Sequence, residues 1–176
     1  MNTKKNTISI GQTPHTPLGN IWVAASDAGL WALDYRVSRE TFLKLVRRRG
    51  SVSVAENPSI TAPLLQEIVE YLQGERQHFT TPIDWTGMTP FQVDVRKAVM
   101  AVPFGRTATY GEVAVGLGNP AAARAVGRVN ATNPIPFVIP CHRLVGADGG
   151  LRGYGGAGGI KTKQWLLDLE RANSVM

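Results

Sequence analysis

The chain carries a single cysteine, Cys141, set between Pro140 and His142. A thiol reacts as its thiolate, so a nucleophilic role needs a group that takes the proton. His142 is adjacent in sequence, but successive side chains of an extended chain point to opposite faces. It reaches the sulfur only if the backbone turns there, or through a bridging water. One cysteine excludes an intramolecular disulfide, a Cys-x-x-Cys redox pair and a multi-cysteine zinc site. On these residues Cys141 is either a small buried hydrophobe or a nucleophile. The apolar run from Asn133-Pro134 through Ile139 delivers it, and Arg143 follows. Beyond it, Gly146 to Gly159 holds eight glycines, with Tyr154 as the only aromatic. Glycine lets backbone groups come close to a ligand. Together these residues read as a pocket, with a fixed thiol on one side and a glycine loop bearing a ring on the other.

The segments before this site read as short helices with sharp punctuation. Thr89-Pro90-Phe91-Gln92 has the pattern of a capping box with proline at the first helical position, and Phe91, Val95, Ala98, Val99 and Val102 keep helical spacing. Thr109-Tyr110-Gly111-Glu112 is a second capping box, opening a helix to about Val115. Asn119-Pro120 starts a third helix, Ala121 to Asn130. Three such helices resemble a helix-turn-helix core, although any small helical bundle shares the pattern. The third is rich in small residues and places Arg124 and Arg128 on one face, four residues apart. That surface suits close packing on a neighbouring helix or insertion into a DNA groove.

The first half reads as a small α/β unit. Ile21–Ala25 and Leu30–Leu33 around Asp27-Ala28-Gly29 predict a hairpin in a small antiparallel sheet. Ser38 caps a predicted helix through Arg49, whose Arg47-Arg48-Arg49 end suits the negative end of the helix dipole. A second helix is expected from about Pro63 to Gln73, stopping at Gly74. Asn57-Pro58 and the stretch Thr80 to Gly87 read as connections. Domains are therefore expected at 1–87 and 88–176.

The bulk properties fit a globular protein of 176 residues, 43% hydrophobic and 18% charged. No apolar stretch is long enough for a transmembrane helix, and the basic start Met1-Asn2-Thr3-Lys4-Lys5-Asn6 has no apolar run behind it. A cytoplasmic location is expected. The net charge of +6 favours polyanionic partners. Residues 1–87 hold nine Lys/Arg against eight Asp/Glu, and residues 88–176 ten against five, so the second half is the better candidate for facing phosphates.

Pro140-Cys141-His142-Arg143 resembles the active-site signature of the O6-alkylguanine-DNA alkyltransferases. The resemblance runs through Thr89-Pro90-Phe91-Gln92, Tyr110, Gly118-Asn119-Pro120, Ala123-Arg124-Ala125-Val126-Gly127, Asn133-Pro134, Gly153-Tyr154 and Trp165-Leu166-Leu167 to Glu170, about half the chain in the family's order. It implies a ribonuclease H-like N-terminal α/β domain and a mainly helical winged-helix, helix-turn-helix C-terminal domain. It implies stoichiometric transfer of an alkyl group from O6 of guanine in double-stranded DNA to Cys141, with base flipping and no cofactor, by a monomer. O4-alkylthymine is left open as a further substrate.

By the same resemblance, His142 draws the thiol proton through a water, Glu170 polarises His142, and Asn133 braces the turn. Tyr110 helps rotate the nucleotide and donates toward guanine. Arg124 fills the vacated stack, with Ala123, Gly127 and Arg128 on the DNA-facing helix. Tyr154 packs on the flipped base, Gly155 and Gly156 shape the pocket, and Pro140 and Arg143 belong to it as supports. The stretch between Tyr154 and Trp165 is about two residues longer than in some members and shared by others. Zinc-binding relatives use N-terminal cysteines; that half of this chain has none, and His15 and His78 are its only histidines, so no metal is expected.

Other classes explain less. A non-catalytic lesion-binding relative would lack the acceptor cysteine. A winged-helix regulator leaves Pro-Cys-His-Arg and the glycine loop without a purpose. A Cys–His hydrolase needs an oxyanion hole and a base on the thiol.

Overall fold

The computed structural model describes residues 7–13 and 15–174. The basic start Met1–Asn6 read above lies outside them. The chain divides into two compact units, Met1–Met88 and Thr89–Met176.

The first unit is built on β1 (Thr7–Thr13), β2 (Ile21–Ser26), β3 (Gly29–Tyr35), α1 (Arg39–Arg47), β4 (Ser53–Glu56) and α2 (Pro58–Leu72). The sheet order is β3-β2-β1-β4. The expected hairpin is present as β2 and β3, antiparallel and closed at Ser26 and Gly29. Gly29 has φ of 134°, and a Cβ there would lie 2.3 Å from the Pro82 carbonyl oxygen, so the turn requires glycine. The sheet is mixed rather than purely antiparallel, because β4 runs parallel to β1. The helical crossover through α1 returns the chain in the same direction. Both β1 and β4 escape sequence reading. β1 hides Ile8 and Ile10 among Thr, Ser and Gln, and β4 is a short, half-exposed edge.

Ile8, Ile10, Trp22, Trp31, Phe42 and Val46 form one core cluster, with Trp22 and Phe42 rings stacked at 5.8 Å. α1 starts at its Ser38 cap and ends at Arg47, two residues short of the expected Arg49. Arg49 instead donates to the carbonyls of Trp31, Asp84 and Thr86 and lies 4.2 Å above the Trp31 ring. It ties a strand to a loop and does not serve the helix dipole. α2 begins five residues before the expected Pro63: Asn57 is its cap and Pro58 its first residue, where a missing N–H costs nothing. The connection at Thr80–Gly87 also pairs with the sheet, through an Ile83–Leu30 bridge.

The second unit contains α3 (Pro90–Met100), β5 (Ala108–Thr109), α4 (Tyr110–Gly116), a 3-10 turn (Pro120–Ala122), α5 (Ala123–Ala131), a second 3-10 turn (Cys141–Arg143), β6 (Leu144–Val145) and α6 (Gly159–Asn173). Both expected capping boxes form, at Thr89/Gln92 and Thr109/Glu112. α3, α4 and α5 pack on one another, with Val95, Val99, Val113, Val126 and Val129 buried. β5 and β6 form a small parallel pair. α6 places Lys163, Leu166, Leu167 and Glu170 on one buried face. No helix among the described residues is long and apolar enough to cross a membrane.

Candidate active site

The backbone turns at the cysteine. Cys141–Arg143 is a single 3-10 turn, closed by Arg143 N–H donating to the Pro140 carbonyl at 2.9 Å. Just before it, Phe137 has φ of 71° while only 1% exposed, a left-handed conformation that bulky residues hold only under tight packing. Asn133 braces this irregular segment. Its Nδ2 donates to the Ile139 carbonyl at 2.8 Å, and its Oδ1 accepts from Ile135 N–H at 3.0 Å. Its side chain also favours the ionised form of the Cys141 thiol.

His142 and Glu170 are fully buried, with His142 Nε2 2.7 Å from Glu170 Oε1. Arg143 clamps the same carboxylate, Nε to Oε2 at 2.9 Å and Nη2 to Oε1 at 2.9 Å, and donates to the Val102 carbonyl at 2.6 Å. Gly105 N–H adds a contact to Oε2 at 3.0 Å. Burial pushes the Glu170 carboxyl up, but His142 and Arg143 more than offset that and bring it down to about 2. Burial pushes His142 below the ordinary histidine value against the pull of Glu170, so the resting ring is neutral. A carboxylate only accepts, so the ring proton sits on Nε2 and Nδ1 is the basic nitrogen. Burial also raises the Cys141 thiol, against the pull of Asn133 and the nearby charge of Lys163. The resting pair is therefore a thiol beside a neutral imidazole backed by a carboxylate, which suits proton transfer at the moment of attack.

A cavity of about 710 Å³ opens in the same unit, within the range of small-molecule sites. Tyr110, Ala123, Arg124, Gly127, Tyr154 and Gly155 are on its wall. Gly155 is required there: a Cβ would lie 2.8 Å from the Ala131 carbonyl oxygen. Arg128 is on α5 but not on this wall, and Gly156 and Pro140 do not line it. The Arg143 guanidinium is buried on Glu170 and does not reach this wall. Cys141, 5% exposed, is also off the wall, and Asn130 Nδ2 donates to its carbonyl at 3.0 Å.

Sequence reading missed three residues. Lys163 is fully buried, and its Nζ donates to the Leu144 carbonyl at 2.5 Å and the Arg152 carbonyl at 3.2 Å. Its spacing with Leu166, Leu167 and Glu170 was the available signal. Arg96 is buried on α3 with Nη2 on the Thr132 carbonyl at 3.2 Å, and Asn130 is buried at the end of α5. Nothing in their local sequence distinguishes them. Among the described residues no group of His, Cys, Asp and Glu is arranged to hold a metal ion.

Residues 90–172 match the model of the 6-O-methylguanine DNA methyltransferase DNA binding domain, and residues 11–85 match that family's ribonuclease-like domain. The chain belongs to this family. It is 40% identical over 155 residues to a methylated-DNA–protein-cysteine methyltransferase of Salmonella typhimurium, covering 86% of this chain and 90% of the relative. A protein of the same name from Mycolicibacterium paratuberculosis is 39% identical over 163 residues, 93% of each chain. The crystal structure of Mycobacterium tuberculosis O6-methylguanine methyltransferase superimposes with a TM-score of 0.77 at 31% identity, covering 96% of this chain and 95% of that one. A structure of the M. tuberculosis protein in complex with DNA gives 0.75 at 33% identity, covering 96% and 94%. As a member of the family, the chain has a ribonuclease-like α/β unit and a helical DNA-binding unit, and its Pro-Cys-His-Arg turn lies in the second.

Proposed function

We propose that this protein repairs O6-alkylguanine in double-stranded DNA by moving the alkyl group to Sγ of Cys141, once per molecule. The activity named for its relatives, methylated-DNA–protein-cysteine methyltransferase, is this chain's activity. The observation that carries the assignment to Cys141 is its 3-10 turn, which follows the thiol directly with His142 held on Glu170, in the unit that also has a cavity of base-accepting size.

The alkyl carbon bonded to O6 lies within the base stack, so the nucleotide must leave the duplex. Arg124, at the start of α5 and on the cavity wall, fills the vacancy. Ala123 and Gly127 allow the helix to approach the groove, and Arg128 meets phosphate. Tyr154 and the Gly155 backbone receive the base. His142 Nδ1 takes the thiol proton through a water, and Glu170 stabilises the imidazolium. Sulfur then forms its bond to the alkyl carbon as the carbon–O6 bond breaks. The electron pair of that bond goes to the guanine oxygen and ring, Tyr110 donates a hydrogen bond to the departing base, and guanine gains one proton at N1. One proton leaves sulfur and one reaches guanine, so the step balances. The product thioether has no partner that would hydrolyse it, so each molecule acts once. The N-terminal unit is a scaffold, and the protein works as a cytoplasmic monomer.

The test is to incubate the protein with a duplex holding one O6-methylguanine and take intact and peptide mass spectra. One methyl per protein, on the Cys141 peptide and absent in Cys141→Ala, which still binds DNA, is the expected result. Lesion-dependent binding without transfer moves the protein to the non-catalytic lesion-binding class. Methyl transfer in Cys141→Ala removes the assignment of the acceptor.

A further inference from the structure

Arg152 shares the cavity wall with Tyr110, Arg124 and Tyr154. Its backbone is firmly held. The Arg152 carbonyl accepts from Nζ of the fully buried Lys163 at 3.2 Å, and the same ammonium holds the Leu144 carbonyl at 2.5 Å. Between these two anchors the chain folds as a hairpin. Gly146 N–H donates to the Gly150 carbonyl and Gly149 N–H to the Gly146 carbonyl, both at 2.9 Å. The Arg152 side chain, by contrast, is held lightly. Its Nη2 donates to Asp148 Oδ2 at 2.7 Å, and the two side chains are 58% and 62% exposed. The guanidinium folds back over the hairpin at Gly146, where a Cβ would lie 2.7 Å from Arg152 Nε. A guanidinium carries five N–H donors. Among the described residues, one of them is engaged, on Asp148. An ion pair this exposed binds its partners weakly in water. A phosphate offers the planar guanidinium two parallel charge-assisted bonds, so DNA competes well for it.

We infer that Arg152 binds a DNA phosphate at the rim of the cavity, exchanging the Asp148 carboxylate for it when the duplex arrives. This rests on the reading that the cavity receives a nucleotide flipped out of duplex DNA. A nucleotide that leaves the stack brings its flanking phosphates toward the rim, and a cation there stabilises the extrahelical state. Arg124 is committed to the vacated stack. Arg152 stands on the same wall with donors to spare. One anion replaces another, so the change is confined to a side chain. Lys163 keeps the backbone that also carries Tyr154, two residues on, where it was. Until DNA binds, Asp148 holds the guanidinium against Gly146 and lowers its availability.

The test is single-turnover methyl transfer from an O6-methylguanine duplex, measured across duplex and salt concentrations. It compares the full chain with Arg152→Gln, Arg152→Lys, Asp148→Asn and the Arg152→Gln, Asp148→Asn double variant. Asp148→Asn keeps the oxygen that accepts from Gly150 N–H at 3.1 Å and removes the charge. Arg152→Gln is expected to raise the half-saturating duplex concentration about fivefold and to make its log–log salt dependence shallower by roughly one. Arg152→Lys keeps the charge and should keep the salt dependence. Asp148→Asn is expected to lower the half-saturating concentration about threefold, and the double variant to lose that gain. A wild-type salt dependence in Arg152→Gln overturns the inference. So does a gain from Asp148→Asn that persists without Arg152, because Asp148 then merely repels the duplex. A loss confined to the plateau rate also overturns it, because Arg152 then acts on the base and not on phosphate. A wild-type protein that transfers no methyl fails the parent reading, and this inference falls with it; wild-type transfer with any of the three contrary results fails this inference alone.

Discussion

In the N-terminal unit the buried side chains are almost all apolar: Trp31, Tyr35, Phe42 and Tyr71 fill its core, and among its described charged residues only Asp84 is buried. Asp84 accepts from Ser26 and Thr86 and pins a loop. The C-terminal unit is of similar length and buries Arg96, His142, Arg143, Lys163 and Glu170. Taking charge out of water is expensive and adds little to stability compared with apolar packing. A unit serving only as a scaffold avoids that cost. One that accepts it repeatedly around a single cysteine does so for chemistry. The difference separates two uses of a buried carboxylate: Asp84 holds a loop through neutral donors, and Glu170 sets the protonation of a base.

The sharpest way to break this comparison is to neutralise each carboxylate. Glu170→Gln strands the buried Arg143 without its counter-charge and removes the negative charge that stabilises an imidazolium at His142, so it should cost roughly 3–5 kcal/mol of stability and most of the transfer activity. Asp84→Asn keeps an acceptor for neutral donors and should cost about 1 kcal/mol, with transfer intact. Urea melts and single-turnover assays read both, and equal losses would erase the distinction.

Acid provides a second test. The folded Glu170 value of about 2 lies below the ordinary 4.5, so its contribution is fully present above 4.5 and is lost as pH falls toward 2. His142 is likewise depressed when folded, so its neutral form adds stability that begins to fade as pH falls below the ordinary 6.5. Both act in the same direction. On the order of 3 kcal/mol should disappear from Glu170 alone across its window in urea titrations, and Glu170→Gln should flatten that slope. An unchanged slope would separate the carboxylate from acid stability.

The smallest expected effect concerns arginines outside the buried cluster. Arg124→Ala should slow transfer from duplex about tenfold, because the flipped nucleotide loses its plug, while reaction with free O6-benzylguanine is unchanged. Arg47→Ala, exposed at the end of α1, should change neither. Parallel loss on both substrates would show that Arg124 supports the cavity itself.

Much of this was legible in the sequence. Both C-terminal capping boxes, the hairpin at Gly29, the apolar run before Cys141 and the glycine loop are local signals, carried by neighbouring residues and their backbone preferences. The same locality explains the failures. β4 pairs with β1 across most of the N-terminal unit, and Arg49 leaves its helix for carbonyls on β3 and a later loop. Arg143 stands close to Cys141 in sequence, yet its side chain belongs to Glu170, 27 positions away.

The sequence by itself determined the reactive group, the helices that surround it and the family of chemistry, because these depend on residue type and short spacing. Only the tertiary structure decided that the backbone turns at Cys141, that His142 rests neutral on a carboxylate held near 2, and that the Asn130 amide from α5 holds the carbonyl of the cysteine turn. Protonation and donor direction depend on burial and on partners far apart in the chain, and these exist only once the chain has packed.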